Sequence, residues 1–292
     1  MCAKAFCLMG YKKAVIDAQE KGVLGRHNEL THGGSPKLQQ LISLFGNELW
    51  RQQNNLPEFY GWSGKYAKQA RTRMAEYHQE MKIDNWPEMH ANQTGIVASA
   101  EIYPEWQIKA EIEERDGSPI LINGKPAFRL AGVYSGTSFY SGVIHGNFSG
   151  TVAWVRAVNQ DIYHFAEMDS PNEAGPEDYI LGGVLKDRCS RMIFSYNGIV
   201  IPQISIDFQE ENSWMNGLGI NESLLVGKAI QHISFKMSGR GRAILPRLKN
   251  VAGAPVYYVL NKNFFVWITR PGIIDPIFAC YVEQADRKDP VS

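Results

Sequence analysis

Three side chains of the kinds used in acid–base catalysis stand three residues apart, at Asp161, His164 and Glu167. On a helix, residues three apart share one face, so this spacing would bring the three side chains together as such chemistry requires. An unrecognised hydrolase that uses them is therefore one alternative function. Because the same spacing often arises by chance, we assign no catalytic residue from it.

The sequence lacks the common catalytic and binding motifs. The patterns G-x-x-x-x-G-K-[ST], H-E-x-x-H and G-x-S-x-G are absent, as is the dinucleotide-binding glycine fingerprint. Its seven histidines show no metal-ligand spacing, and its four cysteines are too few and too scattered for a disulfide framework. We therefore predict no metal and no cofactor. Residues 238–242 (Ser-Gly-Arg-Gly-Arg) lack the lysine and hydroxyl residue of a phosphate loop, and an exposed loop is their simplest interpretation.

The composition is that of a globular protein, with 44% hydrophobic and 21% charged residues. Lysine plus arginine (30) equals aspartate plus glutamate (30), which predicts no nucleic-acid partner. No stretch approaches the roughly 18 apolar residues of a membrane span. The first residues do not have the charge order of a signal peptide. An intracellular protein is expected if the chain is complete, and a secreted one if an N-terminal segment is missing.

The predicted secondary structure changes from helices to strands along the chain. Residues 3–20 and a leucine-rich stretch from Leu38 to Leu49 have helical periodicity, and we expect a further helical segment at 56–82. From residue 94 onward, short apolar runs predict strands, and Asn123-Gly124 predicts a turn after the apolar stretch that begins at Ile120. This order predicts an α+β protein with one domain, 1–292, helical over about 1–90 and sheet-rich over about 91–292.

A collinear series of segments in the last third resembles one family. Residues 201–208 (Ile-Pro-Gln-Ile-Ser-Ile-Asp-Phe) and 218–220 (Leu-Gly-Ile) resemble the "P-K-F-S-I" strand and "L-G-I" helix end of serpins. Residues 224–235, 261–268 and 276–282 are similar to the three family segments that come next. Upstream, residues 94–106 are similar to the central strand that ends in "K-G-x-W", and 143–155 to a family hairpin. The resemblance covers roughly residues 30–292.

The chain is thus identified as resembling a diverged, N-terminally shortened serpin, a member of the serine protease inhibitor superfamily. The resemblance implies N-terminal helices followed by large, mostly antiparallel β-sheets with an exposed reactive-centre-like loop, and a protein that is not an enzyme. It also implies departures from the family. The first helix and strand are expected to be missing, and Gln231 stands where the family has a buried histidine, a role that the neighbouring His232 does not obviously take over.

The reactive-centre-like loop departs from the family where serpin inhibition would require it to insert into a sheet. The resemblance assigns Gly239, Gly241 and Arg242 to the hinge, with Gly239 where glutamate is usual and Arg242 where a small residue is usual. Burying an unpaired arginine costs several kcal/mol, and Pro246 would remove a ladder donor. We therefore predict poor insertion and no classical suicide inhibition.

The sequence accordingly predicts a non-inhibitory, serpin-like protein that binds a protein partner through its surface or through loop 239–256. Its oligomeric state stays open. The alternative is an inhibitor of a trypsin-like protease, with Arg247 or Lys249 as bait and a scissile bond near 249–252. We give equal weight to two interpretations of residues 239–256: a loop that offers Arg247 or Lys249 to a protease, and an exposed loop without that role. The reactive-loop candidates are Pro246, Arg247, Lys249, Asn250, Val251 and Ala252.

Overall fold

The computed structural model describes residues 5–22, 30–45, 56–66, 69, 72–73, 89–131, 137–144, 148–168, 175–183, 185, 191–192, 195–221, 224–241, 254–273 and 275–288. Its helices are α1 (Leu8–Gly22), α2 (Pro36–Phe45) and α3 (Pro176–Leu181). Its strands are β1 (Ala5–Phe6), β2 (Phe59–Gly64), β3 (Gln93–Ile102), β4 (Leu121–Ile122), β5 (Lys125–Ala131), β6 (Thr137–Ile144), β7 (Phe148–Arg156), β8 (Ile162–Glu167), β9 (Arg191–Met192), β10 (Gly198–Pro202), β11 (Ile204–Glu211), β12 (Gly219–Asn221), β13 (Leu224–Met237), β14 (Tyr257–Val259), β15 (Phe264–Thr269) and β16 (Phe278–Val282).

The chain divides into two compact units. Unit 1 comprises Met1–Ala5, Ile102–Ile206 and Phe235–Ser292, and unit 2 comprises Phe6–Glu101 and Asp207–Ser234. Of the residues described, no helix is long and apolar enough to cross a lipid bilayer.

Unit 1 is built on two sheets. The larger has the strand order β1-β16-β15-β8-β7-β6-β9, and the smaller has the order β14-β10-β5-β4. β15 (Phe-Phe-Val-Trp-Ile-Thr) is buried along almost its whole length and lies between β16 and β8 in the sheet. The predicted turn at Asn123-Gly124 is confirmed: it joins β4 to β5 with φ of 51° and 73°.

Unit 2 contains α1, α2 and a sheet of order β11-β13-β3-β2, with β12 paired to β13. β3 is almost continuously buried, whereas the edge strand β11 alternates between buried and more exposed residues. β13 and β3 are hydrogen-bonded neighbours, so no strand lies between them.

The helical predictions hold for two of three segments. α1 and α2 confirm the first two, although α1 begins only at Leu8, after the short strand β1. The helical prediction for 56–82 is wrong at its start, because Phe59–Gly64 pairs antiparallel with β3 as strand β2. The strand predictions beyond residue 94 are confirmed by β3, β7, β10, β11, β13, β15 and β16.

Candidate functional site

The candidate site is the loop base, defined here as residues 238–241, where the chain leaves the end of β13. β13 ends at Met237, and the structure describes the chain as far as Gly241. Gly239 and Gly241 of the predicted hinge therefore lie inside the described residues. The other hinge residue and the loop candidates lie outside them: Arg242, Pro246, Arg247, Lys249, Asn250, Val251 and Ala252.

Trp106, four residues beyond the end of β3, holds the loop base. Its indole Nε1 donates a hydrogen bond to the carbonyl oxygen of Ser238 at 2.9 Å, and its backbone N–H donates to that of Arg240 at 3.0 Å. A parallel bridge also pairs Trp106 with Gly241. The indole is fully buried and stacks on Phe128, with ring centroids 6.0 Å apart. The loop base is thus fixed to a rigid aromatic anchor by two hydrogen bonds, of which the backbone one is part of the bridge.

Both glycines of the loop base are packed against neighbouring atoms. A Cβ atom at Gly241 would lie 2.3 Å from the carbonyl oxygen of Ile108, so this position admits no side chain without a backbone shift. A Cβ atom at Gly239 would lie 2.8 Å from Ile112 Cγ2 and 3.2 Å from Phe128 Cβ. The glutamate that the resemblance leads one to expect at 239 would therefore meet an apolar wall and gain no charged partner from these contacts.

A cavity of ≈ 730 Å³ borders the loop base. Its wall carries an exposed aromatic ring, that of Tyr103, together with the basic side chains of Lys236 and Arg240. The ammonium of Lys236 lies 5.8 Å from the centre of the Tyr103 ring. Glu105 adds one acidic side chain to the wall. The surface next to the loop base therefore combines aromatic area with charges of both signs.

Gln231, in unit 2, is fully buried and takes part in a hydrogen-bonded cluster. Its Oε1 accepts from the backbone N–H of Cys7 at 3.3 Å, and its Nε2 donates to Glu210 Oε2 at 3.3 Å. Burial raises the pKa of the Cys7 thiol to about 12, which keeps it protonated and unreactive. His232 takes a different partner, since its Nε2 lies 3.1 Å from Asp207 Oδ1. It therefore does not replace Gln231.

The three residues of the hydrolase alternative do not form a catalytic group. They do not share a helix face: His164 and Glu167 lie on β8, and Asp161 immediately precedes it. Asp161 is bound to Arg270 through two contacts of 2.6 Å, and the Oε1 of Glu167 accepts backbone N–H groups at Asn261 and Lys262. Asp161 therefore stabilises its contact with Arg270, and Glu167 stabilises the backbone at Asn261 and Lys262.

His164 is a core residue and not an accessible base. It stacks on Trp267, with ring centroids 4.8 Å apart, and meets Trp154 edge-on at 5.0 Å. Strand register places the three rings side by side on β7, β8 and β15. Burial lowers the pKa of His164 to about 3, so its imidazole stays neutral near neutral pH. In the described part of the chain, no three potential ligand residues lie close enough to hold a metal ion.

Comparison with known proteins gives matches by structure. No protein-family model matches the sequence, and no curated protein does. The crystal structure of maspin aligns with a TM-score of 0.53 and 9% identity over 95% of this chain and 91% of that chain. Mouse protein-Z dependent protease inhibitor aligns with a TM-score of 0.52 and 9% identity over 94% of this chain and 96% of that chain. Native protease nexin-1 with heparin aligns with a TM-score of 0.43 and 10% identity over 65% of this chain, which spans only 56% of that one.

Proposed function

Since this chain has the serpin fold, we propose that it is a non-inhibitory protein that binds a protein partner through loop 239–256 and the surface at the loop base. The single observation that carries the proposal is that Arg242, whose guanidinium cannot lose its charge, directly follows the loop base that Trp106 holds. Inhibition by loop insertion would require the loop to enter the sheet as a new strand, and the loop base is the segment from which that strand would start.

The sheet next to the loop base defines which contacts insertion would have to break. β13 and β3 are direct neighbours, so an inserting loop would have to separate them. The parallel bridge between Trp106 and Gly241 links the chain beyond β3 to the chain beyond β13. Separation would therefore also break the backbone hydrogen bond from Trp106 to Arg240. The close contact of Gly241 with Ile108 would be lost in the same movement.

The loop sequence supports the proposal independently. Alternate residues of an inserted segment are buried in the sheet core. Arg242 is the first residue beyond the loop base, and its guanidinium cannot lose its charge to ease burial. Pro246 has no N–H for a central strand. Both residues make the inserted state less stable.

The surface beside the loop base has the composition expected for binding a protein. Tyrosine and arginine are enriched at protein interfaces because they combine large contact area with hydrogen-bonding groups. Tyr103 is 52% exposed, and Arg240 is exposed on the same cavity wall. A partner that binds the loop would also contact this wall, because the wall borders the loop base.

The alternative function is inhibition of a trypsin-like protease. It is favoured by Arg247 and Lys249, two basic residues near the family-like scissile position. Under this alternative, the protease would cleave the loop and stay covalently attached while the loop inserted.

Cleavage of the intact chain by trypsin separates the two functions. The chain is incubated with trypsin, the products are separated in SDS, and thermal unfolding is measured before and after cleavage. We expect a cut loop, no SDS-stable complex and an unchanged unfolding midpoint. A complex that survives SDS, or a rise in the midpoint of more than about 10 °C, would overturn the proposal in favour of the inhibitor.

A further inference from the structure

A second cavity, in unit 2, is lined by basic side chains, and we call it the cationic cavity. Its volume is ≈ 690 Å³, within the range of small-molecule sites. Lys21 from the last turn of α1, Lys65 just after β2, and Arg73 contribute to its wall. None of the described residues that line it is acidic. The cavity is therefore suited to a negatively charged ligand.

One corner of the cationic cavity is fixed before any ligand arrives. The ammonium of Lys21 lies 4.8 Å from the centre of the Trp62 ring and donates to the carbonyl oxygen of Ser63 at 2.8 Å. Asp17, just outside the wall, binds the same ammonium at 2.6 Å and accepts from both the N–H and the hydroxyl of Ser63 at 2.7 Å. This network holds Lys21 in place, which reduces the ordering cost of binding.

The other two cations extend this corner. Lys65 is oriented by the hydrogen bond that its ammonium donates to the carbonyl oxygen of Ala91 at 2.8 Å. Arg73 adds a planar guanidinium, which binds phosphate-like oxygens in pairs. Thr72 and Thr94 also line the cavity, and the hydroxyl of Thr94 donates to the carbonyl oxygen of Gly95 at 3.3 Å. Three cations match the several oxygens of a tetrahedral oxyanion better than the two oxygens of a carboxylate.

We propose that the cationic cavity binds the phosphate or sulfate group of a small organic molecule, with Lys21, Lys65 and Arg73 around the oxyanion. The volume exceeds what the oxyanion alone would fill, so the organic part occupies the rest of the cavity. This site is separate from the loop base and does not depend on whether the chain inhibits a protease.

Titration calorimetry tests the proposal with phenyl phosphate, phenyl sulfate and inorganic phosphate, each at the same ionic strength in a chloride background. We expect at least one of the two phenyl esters to bind with a dissociation constant of about 1 mM or lower, and more tightly than inorganic phosphate. Tighter binding of one ester identifies the oxyanion. Binding of inorganic phosphate alone, or saturable binding of none of the three, would refute the proposal.

Variants tie the binding to the cavity. Combining Lys65→Gln with Arg73→Gln should weaken binding about tenfold or more, whereas Arg73→Lys, which keeps the charge, should weaken it less. Lys125→Gln is the matched control, because Lys125 is exposed and lies in unit 1. Equal affinity in the double variant, or an equal loss in the Lys125 control, would overturn the assignment. If the double variant unfolds early, Lys65→Gln alone is compared with the control in the same way.

Discussion

Replacing Gly241 by alanine tests how firmly the loop base is held. The new Cβ atom would lie 2.3 Å from the carbonyl oxygen of Ile108, and the next atoms, Ile108 C and Trp106 O, lie at 3.2 and 3.3 Å. Non-bonded atoms of this kind need about 3.5 Å. All three neighbours belong to the backbone and cannot rotate away, so the loop base must move by roughly 1 Å.

The cost of Gly241→Ala follows from the hydrogen bonds that this movement breaks. A shift of roughly 1 Å takes the bonds from Trp106 to Ser238 and Arg240, now 2.9 and 3.0 Å long, beyond hydrogen-bonding range. Trp106 is fully buried, so both of its donors would lose a partner in the interior. Since each such loss costs about 1–3 kcal/mol, we expect the free energy of unfolding to fall by about 2–6 kcal/mol.

Gly239→Ala provides the matched control two residues away. Its Cβ atom would approach Ile112 Cγ2 at 2.8 Å, a methyl group that moves when the 52% exposed side chain rotates about χ1. Phe128 Cβ and Ala110 Cβ, at 3.2 and 3.3 Å, need to give by only a few tenths of an ångström. We expect urea unfolding to show a change of less than about 1 kcal/mol for this variant. Trypsin should also cut the loop faster in Gly241→Ala than in the control. If the two variants unfold alike, the loop base is not held by the contacts described here.

Two further predictions concern buried side chains. Trp106→Phe keeps one aromatic ring but removes the Nε1–H that binds Ser238 and leaves a cavity where the rest of the indole was, so urea unfolding should show a loss of about 2–4 kcal/mol together with faster loop cleavage by trypsin. Unchanged cleavage would contradict the anchoring role. The pKa of His164 is about 3 in the folded chain, whereas its ordinary value is 6.5. Below about pH 6.5 the unfolded chain therefore binds a proton at this residue and the native chain does not, so the free energy of unfolding decreases as the pH is lowered. Between about pH 7 and pH 5 this loss amounts to about 2 kcal/mol and should be absent in His164→Phe. The measurement compares the pH dependence of the free energy of unfolding of the unaltered chain with that of the variant. Parallel pH profiles would show that His164 is not buried as a neutral ring.

The sequence was sufficient where local pattern determines the structure. The leucine spacing in residues 38–49 predicted α2, and Asn123-Gly124 predicted a turn whose positive φ angles these two residue types tolerate. The resemblance to serpins came from the order of several weak segments, and it is confirmed at the level of the fold by the alignments to maspin and mouse protein-Z dependent protease inhibitor.

Strand β2 shows why other elements could not be predicted. Its sequence, Phe-Tyr-Gly-Trp-Ser-Gly, contains two glycines and no alternation of apolar and polar residues, so its local signal for a strand is weak. The strand forms because β3 supplies its hydrogen-bonding partner. A Cβ atom at Gly61 would lie 2.1 Å from the backbone nitrogen of Ala14, so glycine is needed there for the close approach of α1. These partners are distant in the sequence.

The candidate sites depend on distant pairs in the same way. Gly239 and Gly241 suggest flexibility by composition, but the structure uses their small size for contact with residues 106–112. Trp106 and Ser238 are 132 residues apart, so nothing near the loop indicates the anchor. The cationic cavity likewise joins Lys21, on α1, to Lys65 and Arg73, which lie in a basic stretch at 65–73 far along the sequence.

The proposal of a non-inhibitory protein rests on two features that act at different stages of insertion. The bonds from Trp106 to the loop base oppose the first step, in which the chain beyond β13 must leave the chain beyond β3. Arg242 and Pro246 oppose the final state, because a buried central strand suits neither the charge of Arg242 nor the missing N–H of Pro246. In a variant that changes only Arg242 and Pro246, loop insertion would still require the anchored loop base to open. In a variant that changes only Trp106, loop insertion would still bury an arginine. Failure of either variant to inhibit a protease is therefore weak support for the proposal, whereas insertion by the unaltered chain would contradict both features at once.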